Sequence, residues 1–96
     1  MPKLQLRILT SESVKFDEPV DMVIMRCIYQ SIGKKGVAGE IGIMPGHLPF
    51  SGVLGKNELR INVGEAVHTF FIHGGVVNVR DDVVTVLTEK AELLNK

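Results

Sequence analysis

Three histidines, at positions 47, 68 and 73, carry the side chains of this sequence most able to do catalysis or bind a metal. His47 stands between Pro45 and Pro49 in GEIGIMPGHLPF, residues 39–50, a glycine-punctuated segment that either does chemistry or presents a shaped surface to another protein. His73-Gly74-Gly75 has the composition of an oxyanion loop, but such a loop works beside a nucleophile elbow of the form G-x-S-x-G. The serines here occur in TSES, QSIG and FSGV, so no elbow exists. The plain reading is a histidine that ends a strand before a glycine hairpin. His68 and His73 are separated by an odd number of residues, so on a regular strand they face opposite sides. They could share one ion only across a bulge, and Cys27 is distant in sequence. A small β-barrel that binds a metal or small ligand through His47, His68 and His73 is the alternative function this pattern leaves open.

Other chemistry fares no better. GVLGKN ends in Gly-Lys, but a phosphate loop needs a glycine five residues before that Gly and Ser or Thr after the Lys. Phe50 and Asn57 occupy those places, and the following ELRINV reads as a strand, with no helix N-terminus to face a phosphate. Asp81-Asp82 are adjacent and would diverge on a strand, so turn chemistry accounts for them, as it does for Asp17-Glu18 beside Pro19. General acid–base work requires two groups that converge on one cleft. Nothing in the spacing provides that. The residues alone point to a non-enzymatic interaction domain that uses no cofactor.

Bulk properties narrow the class further. Ninety-six residues make one domain, long enough for a core without disulfides or a structural metal. Eleven basic residues balance eleven acidic ones, which argues against a nucleic-acid partner. A single cysteine, Cys27, allows no internal disulfide and fits a reducing compartment. The N-terminal MPKLQLRILTSES lacks the apolar stretch of a signal peptide, and no run approaches the length of a membrane helix. A soluble, cytoplasmic chain is expected.

The elements that must position these residues follow a period of two. KLQLRIL reads as a first strand with Leu4, Leu6 and Ile8 on its buried face, and SVKFDE as a short second strand ended by Pro19. VDMVIMRCIY is a longer apolar strand, QSIGKKGVAGE a loop or hairpin tip, and IGIM a short strand stopped by Pro45-Gly46. FSGVL and ELRINV are expected as separate strands joined by a GKN turn, and AVHTFFI and VVNVR as a hairpin about Gly74-Gly75. VVTVLT is a last strand after Asp81-Asp82, and EKAELLNK looks helical. The expected architecture is an all-β, antiparallel sandwich of about eight to ten short strands. It occupies residues 1–88, and residues 89–96 begin a helical segment.

With the motifs laid out, GEIGIMPGHLPF resembles the G-E-x-G-I-x-P-G-H-x-P stretch of the epsilon-subunit family of F-type ATP synthases, whose mitochondrial counterpart is called delta. The match runs through Gly39, Glu40, Gly42, Ile43, Pro45, Gly46, His47 and Pro49. LQLRILTSE is similar to that family's opening strand, ELRI to its G-x-L-R-I strand, and FFIHGGVVNVRDDVVTVLTEKAE to its paired later strands. The resemblance spans most of residues 4 to 92. It implies a β-sandwich of about ten strands in the central stalk, a non-catalytic rotor subunit joining the gamma subunit to the membrane-embedded c ring. It places the complex at the cytoplasmic side of the membrane, which the chain reaches only through its partners. It implies a gamma contact at Pro45, His47 and Leu48, and a c-ring contact at Lys34, Lys35, Gly36, Ala38 and Glu40. The two prolines would hold the His47 loop in one shape, so that less entropy is lost on docking. Two departures stand out. RCIYQSIGKKGVA is longer than the turn the family places before G-E-x-G-I, and the 96 residues do not include the C-terminal helical hairpin of most bacterial members. Autoinhibition and ATP binding are therefore not assigned to this sequence.

Overall fold

The computed structural model describes residues 3–29 and 37–94. Eight strands occur among them: β1 (Leu4–Leu9), β2 (Val14–Val20), β3 (Met22–Tyr29), β4 (Val37–Ile43), β5 (Phe50–Val63), β6 (Ala66–Arg80), β7 (Val83–Thr88) and β8 (Ala91–Leu93). The chain is all-β, as expected. Its strands hydrogen-bond in the order β2-β1-β7-β6-β5-β3-β4, with β8 joined to β6 off that path. The pairings are antiparallel apart from one correction to the expected pattern: β1 runs parallel to β7. The Gln5 N–H donates to the Asp82 carbonyl at 2.8 Å and sets that register from the β6–β7 turn.

One sheet becomes two layers because two long strands change sides partway along. On β5 the buried positions are Gly52 and Leu54, then Leu59 and Ile61. On β6 they are Phe70 and Ile72, then Val77 and Val79. The buried phase thus flips from even to odd on both strands, between Leu54 and Leu59 and between Ile72 and Val77. In an unbroken strand alternate residues stay on one face, so each flip marks a passage from one layer to the other. Pairing persists through it, with Leu54 opposite Gly75 and Lys56 opposite His73. The layers then meet face to face: Phe16 of β2 packs edge-on against Phe70 of β6, with ring centroids 5.8 Å apart. Between them lie Leu4, Leu6 and Ile8 of β1 with Val23, Met25, Ile43, Val84 and Val86, in a continuous apolar core.

The same geometry corrects several sequence expectations. GKN is not a turn between strands but part of β5, which runs for 14 residues. It forms a bulge: from Ile24 to Ile28 is four steps along β3, while their partners Arg60 and Val53 are seven steps apart on β5. Asn57 closes the gap, its Oδ1 accepting from the Arg26 N–H at 3.3 Å and its Nδ2 donating to the Gly55 carbonyl at 2.7 Å. Gly74-Gly75 is likewise no hairpin but the kink inside a 15-residue β6. Its glycines have φ of 84° and 137°. Those values suit glycine, as a turn would, so composition alone could not separate the two outcomes. Pro19 does not end β2; the strand includes it and runs to Val20. Edge strands tolerate proline because one row of their N–H groups has no partner. The helical reading of residues 89–96 fails where the chain is described: Ala91 pairs with Ile72 and Leu93 with Phe70, making β8 a strand. An open β6 edge recruits these residues, and that pairing outweighs a weak local helix preference.

A Cβ on Gly75 would lie 1.9 Å from the Leu87 carbonyl oxygen, whereas one on Gly55 would meet nothing within 4 Å. Gly75→Ala is expected to destabilise the chain by about 3 kcal/mol or more, and Gly55→Ala by less than about 1 kcal/mol. Urea unfolding followed by circular dichroism measures both, and equal midpoints would contradict this account of the kink.

Candidate functional site

The His47 segment lies between β4 and β5 and is tied to the opposite turn. Gly46, at φ 88°, donates its N–H to Asp82 Oδ1 at 2.8 Å. Asp81 and Asp82 take φ of 51° and 62°, the turn role their sequence suggested. The His47 N–H donates to the Met44 carbonyl at 3.1 Å, its ring Nδ1 to the Leu48 carbonyl at 2.8 Å, and its ring lies 5.2 Å from that of Phe50. His47 is therefore half-buried and engaged within its own loop, with Pro45 also half-buried beside it. Leu48 is the outward residue, 78% exposed.

The other expected residues scatter. His68 shares the inward phase of Phe70 and Ile72, while His73 points the other way and bonds through Nε2 to Glu92 Oε1 at 2.8 Å. Among the described residues no three His, Cys, Asp or Glu side chains gather into a set that could hold a metal ion. Nothing in the arrangement favours the reading built on His47, His68 and His73. Of the c-ring set, Lys34, Lys35 and Gly36 lie outside the described residues. Ala38 belongs to β4, and Glu40, exposed on the same strand, accepts from Arg60 at 2.8 Å.

Sequence reasoning missed the main surface feature. In register across the sheet, Ile28 of β3 pairs with Val53 of β5, Val53 with Val76 of β6, and Val76 with Leu87 of β7. Leu87 pairs with Leu9 of β1, and Leu9 with Val14 of β2. The row thus crosses six neighbouring strands of the path, from β2 to β3. Apart from half-buried Leu9, the described side chains from Val14 to Ile28 are between 45% and 57% exposed. Adjacent strands lie about 4.8 Å apart, which makes this apolar band roughly 24 Å long. Two residues along β5, β6, β7 and β1, and three along the bulged β2, the character reverses. Ser51, Asn78, Thr85, Arg7 and Asp17 form a polar row, closed by an Asn78-to-Ser51 bond of 2.9 Å and an Arg7–Asp17 ion pair of 3.6 Å. A lone exposed valine needs no explanation, but a continuous exposed band marks an interaction surface. Its signal in the sequence was one apolar residue on the outward phase of each strand, and only the registers line them up.

An all-β sandwich with one amphipathic sheet face is the class of protein these features define. The chain belongs to the family described as ATP synthase, Delta/Epsilon chain, beta-sandwich domain, whose pattern it matches over residues 3–94. It is 37% identical over 93 residues to the ATP synthase epsilon chain of Halalkalibacterium halodurans, an alignment covering 97% of this chain and 63% of that one. It is 38% identical over 89 residues to the epsilon chain of Nitratidesulfovibrio vulgaris, covering 93% and 60%. The chain thus spans about three-fifths of the length of these curated relatives. In three dimensions it is similar to a chain of the Euglena gracilis mitochondrial ATP synthase, with a TM-score of 0.80 at 24% identity over 98% of this chain and 56% of that one. A chain of the Tetrahymena thermophila mitochondrial ATP synthase central stalk and c ring gives 0.64 at 16% identity, over 94% and 66%. These two likenesses concern the fold.

On the layer away from the band, the hydrogen bond from His73, with Lys90 adding its charge, holds the Glu92 carboxyl below the usual range. A depressed folded pKa stabilises the fold fully above the unfolded value of about 4.3, and the effect is lost as pH falls through the folded value. Attachment of β8 is therefore expected to weaken below about pH 4. Hydrogen exchange at the Leu94 amide, which donates to the Thr69 carbonyl, reads this out. Corrected for intrinsic rates, its protection should fall with acid in the native chain and lose that dependence in Glu92→Gln.

Proposed function

We propose that this chain is the stalk-docking β domain of an F-type ATP synthase, a non-catalytic rotor component that links the gamma subunit to the c ring. Rotation driven by ion flow through the ring would pass across it to the catalytic head. The single observation that supports this reading is the exposed apolar band. Coupling two rotating parts requires a face that stays attached under torque. Burial of apolar surface supplies attachment at about 25 cal/mol per Å² before association costs are subtracted.

In this reading the band docks on gamma, and Pro45, His47 and Leu48 extend the contact from the β4–β5 loop. Leu48 is its apolar anchor, while His47 shapes the loop through its bonds to Met44 and Leu48 and its contact with Phe50. Lys34, Lys35, Gly36, Ala38 and Glu40 meet the polar loops of the c ring. The domain stands on the cytoplasmic face of the membrane, held there through its partners.

Calorimetric titration of the chain with the gamma subunit of its own organism tests the reading. Val53→Asp and Val76→Asp each place a charge in the middle of the band and are expected to weaken binding at least about thirtyfold, while changing unfolding free energy by less than about 1 kcal/mol. Leu48→Ser is expected to cost about tenfold in affinity, and His47→Ala less than that. Unaltered binding in either aspartate variant would refute the assignment of the band to gamma.

A further inference from the structure

The bulge between β3 and β5 opens a shallow groove of about 220 Å³, lined by Arg26, Ile28, Val53, Gly55, Lys56 and Asn57 among others. Ile28 and Val53 also belong to the apolar band, so the groove is continuous with its β3 end. Nothing lies within 4 Å of where a Cβ on Gly55 would be, so the space over the bulge is open. Arg26 and Lys56 are both exposed, and neither has an acidic partner among the described residues. Lys3, Arg7, Arg60 and Lys90 each have one, and Lys15 and Arg80, which also lack one among the described residues, do not line the groove. Glu40, opposite Arg26 on β4, is bonded to Arg60 instead. Residues 1–2, 30–36 and 95–96 contain no Asp or Glu that could serve.

Two cations at one groove repel each other until an anion sits with them, and the apolar side chains next to them select what carries that anion. We infer that the protein surface covering the apolar band bears a carboxylate side chain that seats at Arg26 and Lys56, with an apolar neighbour against Ile28 and Val53. This rests on the docking reading above and specifies the partner's chemistry. The guanidinium fork suits a carboxylate in a bidentate contact, and the lysine adds a point charge. A band of similar aliphatic side chains supplies area but does not fix position along its length. A charge pair at one end fixes the register and speeds encounter.

The test titrates the full chain with its gamma subunit at low and high salt, comparing the native chain, Val53→Asp, and the double variant Arg26→Glu with Lys56→Glu. The double reversal is expected to weaken binding at low salt by at least about tenfold and to abolish most of the salt dependence. Should it fold poorly by circular dichroism, Arg26→Gln with Lys56→Gln replaces it, with a loss of about fivefold expected. If the double variant binds as the native chain does, with the same salt slope, while Val53→Asp binds at least about thirtyfold more weakly, the carboxylate contact is overturned and the docking reading stands. If Val53→Asp also binds unchanged, or the native chain does not bind gamma, the docking reading falls and the contact with it.

Discussion

Gly75 sits where a side chain cannot, against the backbone of Leu87, at the level where β5 and β6 leave one layer for the other. Most of the structure depends on that crossing. Because both strands flip their buried phase together, their own pairing is continuous, and the sheet turns over without losing its ladder. On β3, by contrast, Val23, Met25 and Cys27 keep one buried phase throughout. A strand that does not flip can pair with one that does only if the register shifts by an odd number, and the shift between β3 and β5 is three residues. The bulge at Gly55–Asn57 is thus a consequence of the kink at Gly74–Gly75, and Asn57 is the side chain that satisfies the opened backbone.

The outer face follows from the same registers. Once Leu54 is opposite Gly75 and Val76 opposite Leu87, Val53, Val76 and Leu87 must share a row, with the polar Ser51–Asn78–Thr85 row beside it. Strands with one face in water ordinarily alternate apolar-in and polar-out. The band breaks that rule on one row across successive strands. The adjacent row of Ser51, Asn78, Thr85, Arg7 and Asp17 keeps it, with side chains bonded to one another. Such a departure from local consistency is where function is expected to lie.

The histidines show the converse. His47 and His73 looked most able to do chemistry, yet each is bonded into local architecture: one shapes the β4–β5 loop, the other fastens β8 to β6. His68 follows the inward phase of its strand. Both side chains hold backbone in place, His47 in a turn and His73 inside a strand.

How far the sequence could be read alone is clearest at particular residues. Alternation of Leu4, Leu6 and Ile8, and of Leu59 and Ile61, set strands and buried faces correctly, because side-chain direction along a strand is a local property. The Pro45–Pro49 loop and the Asp81–Asp82 turn were legible for the same reason. Gly74-Gly75 and Gly55-Lys56-Asn57 were misread as turns, since positive φ or an open backbone serves a kink, a bulge or a hairpin equally well. Ala91–Leu93 was misread as helical because its strand state exists only through β6. The apolar band was invisible, as its members come from six strands spread between positions 9 and 87. The sequence by itself determined which residues face in or out along each strand. The tertiary structure alone decided which strands meet and in what register, since hydrogen-bonded pairing between distant segments depends on the whole folded sheet.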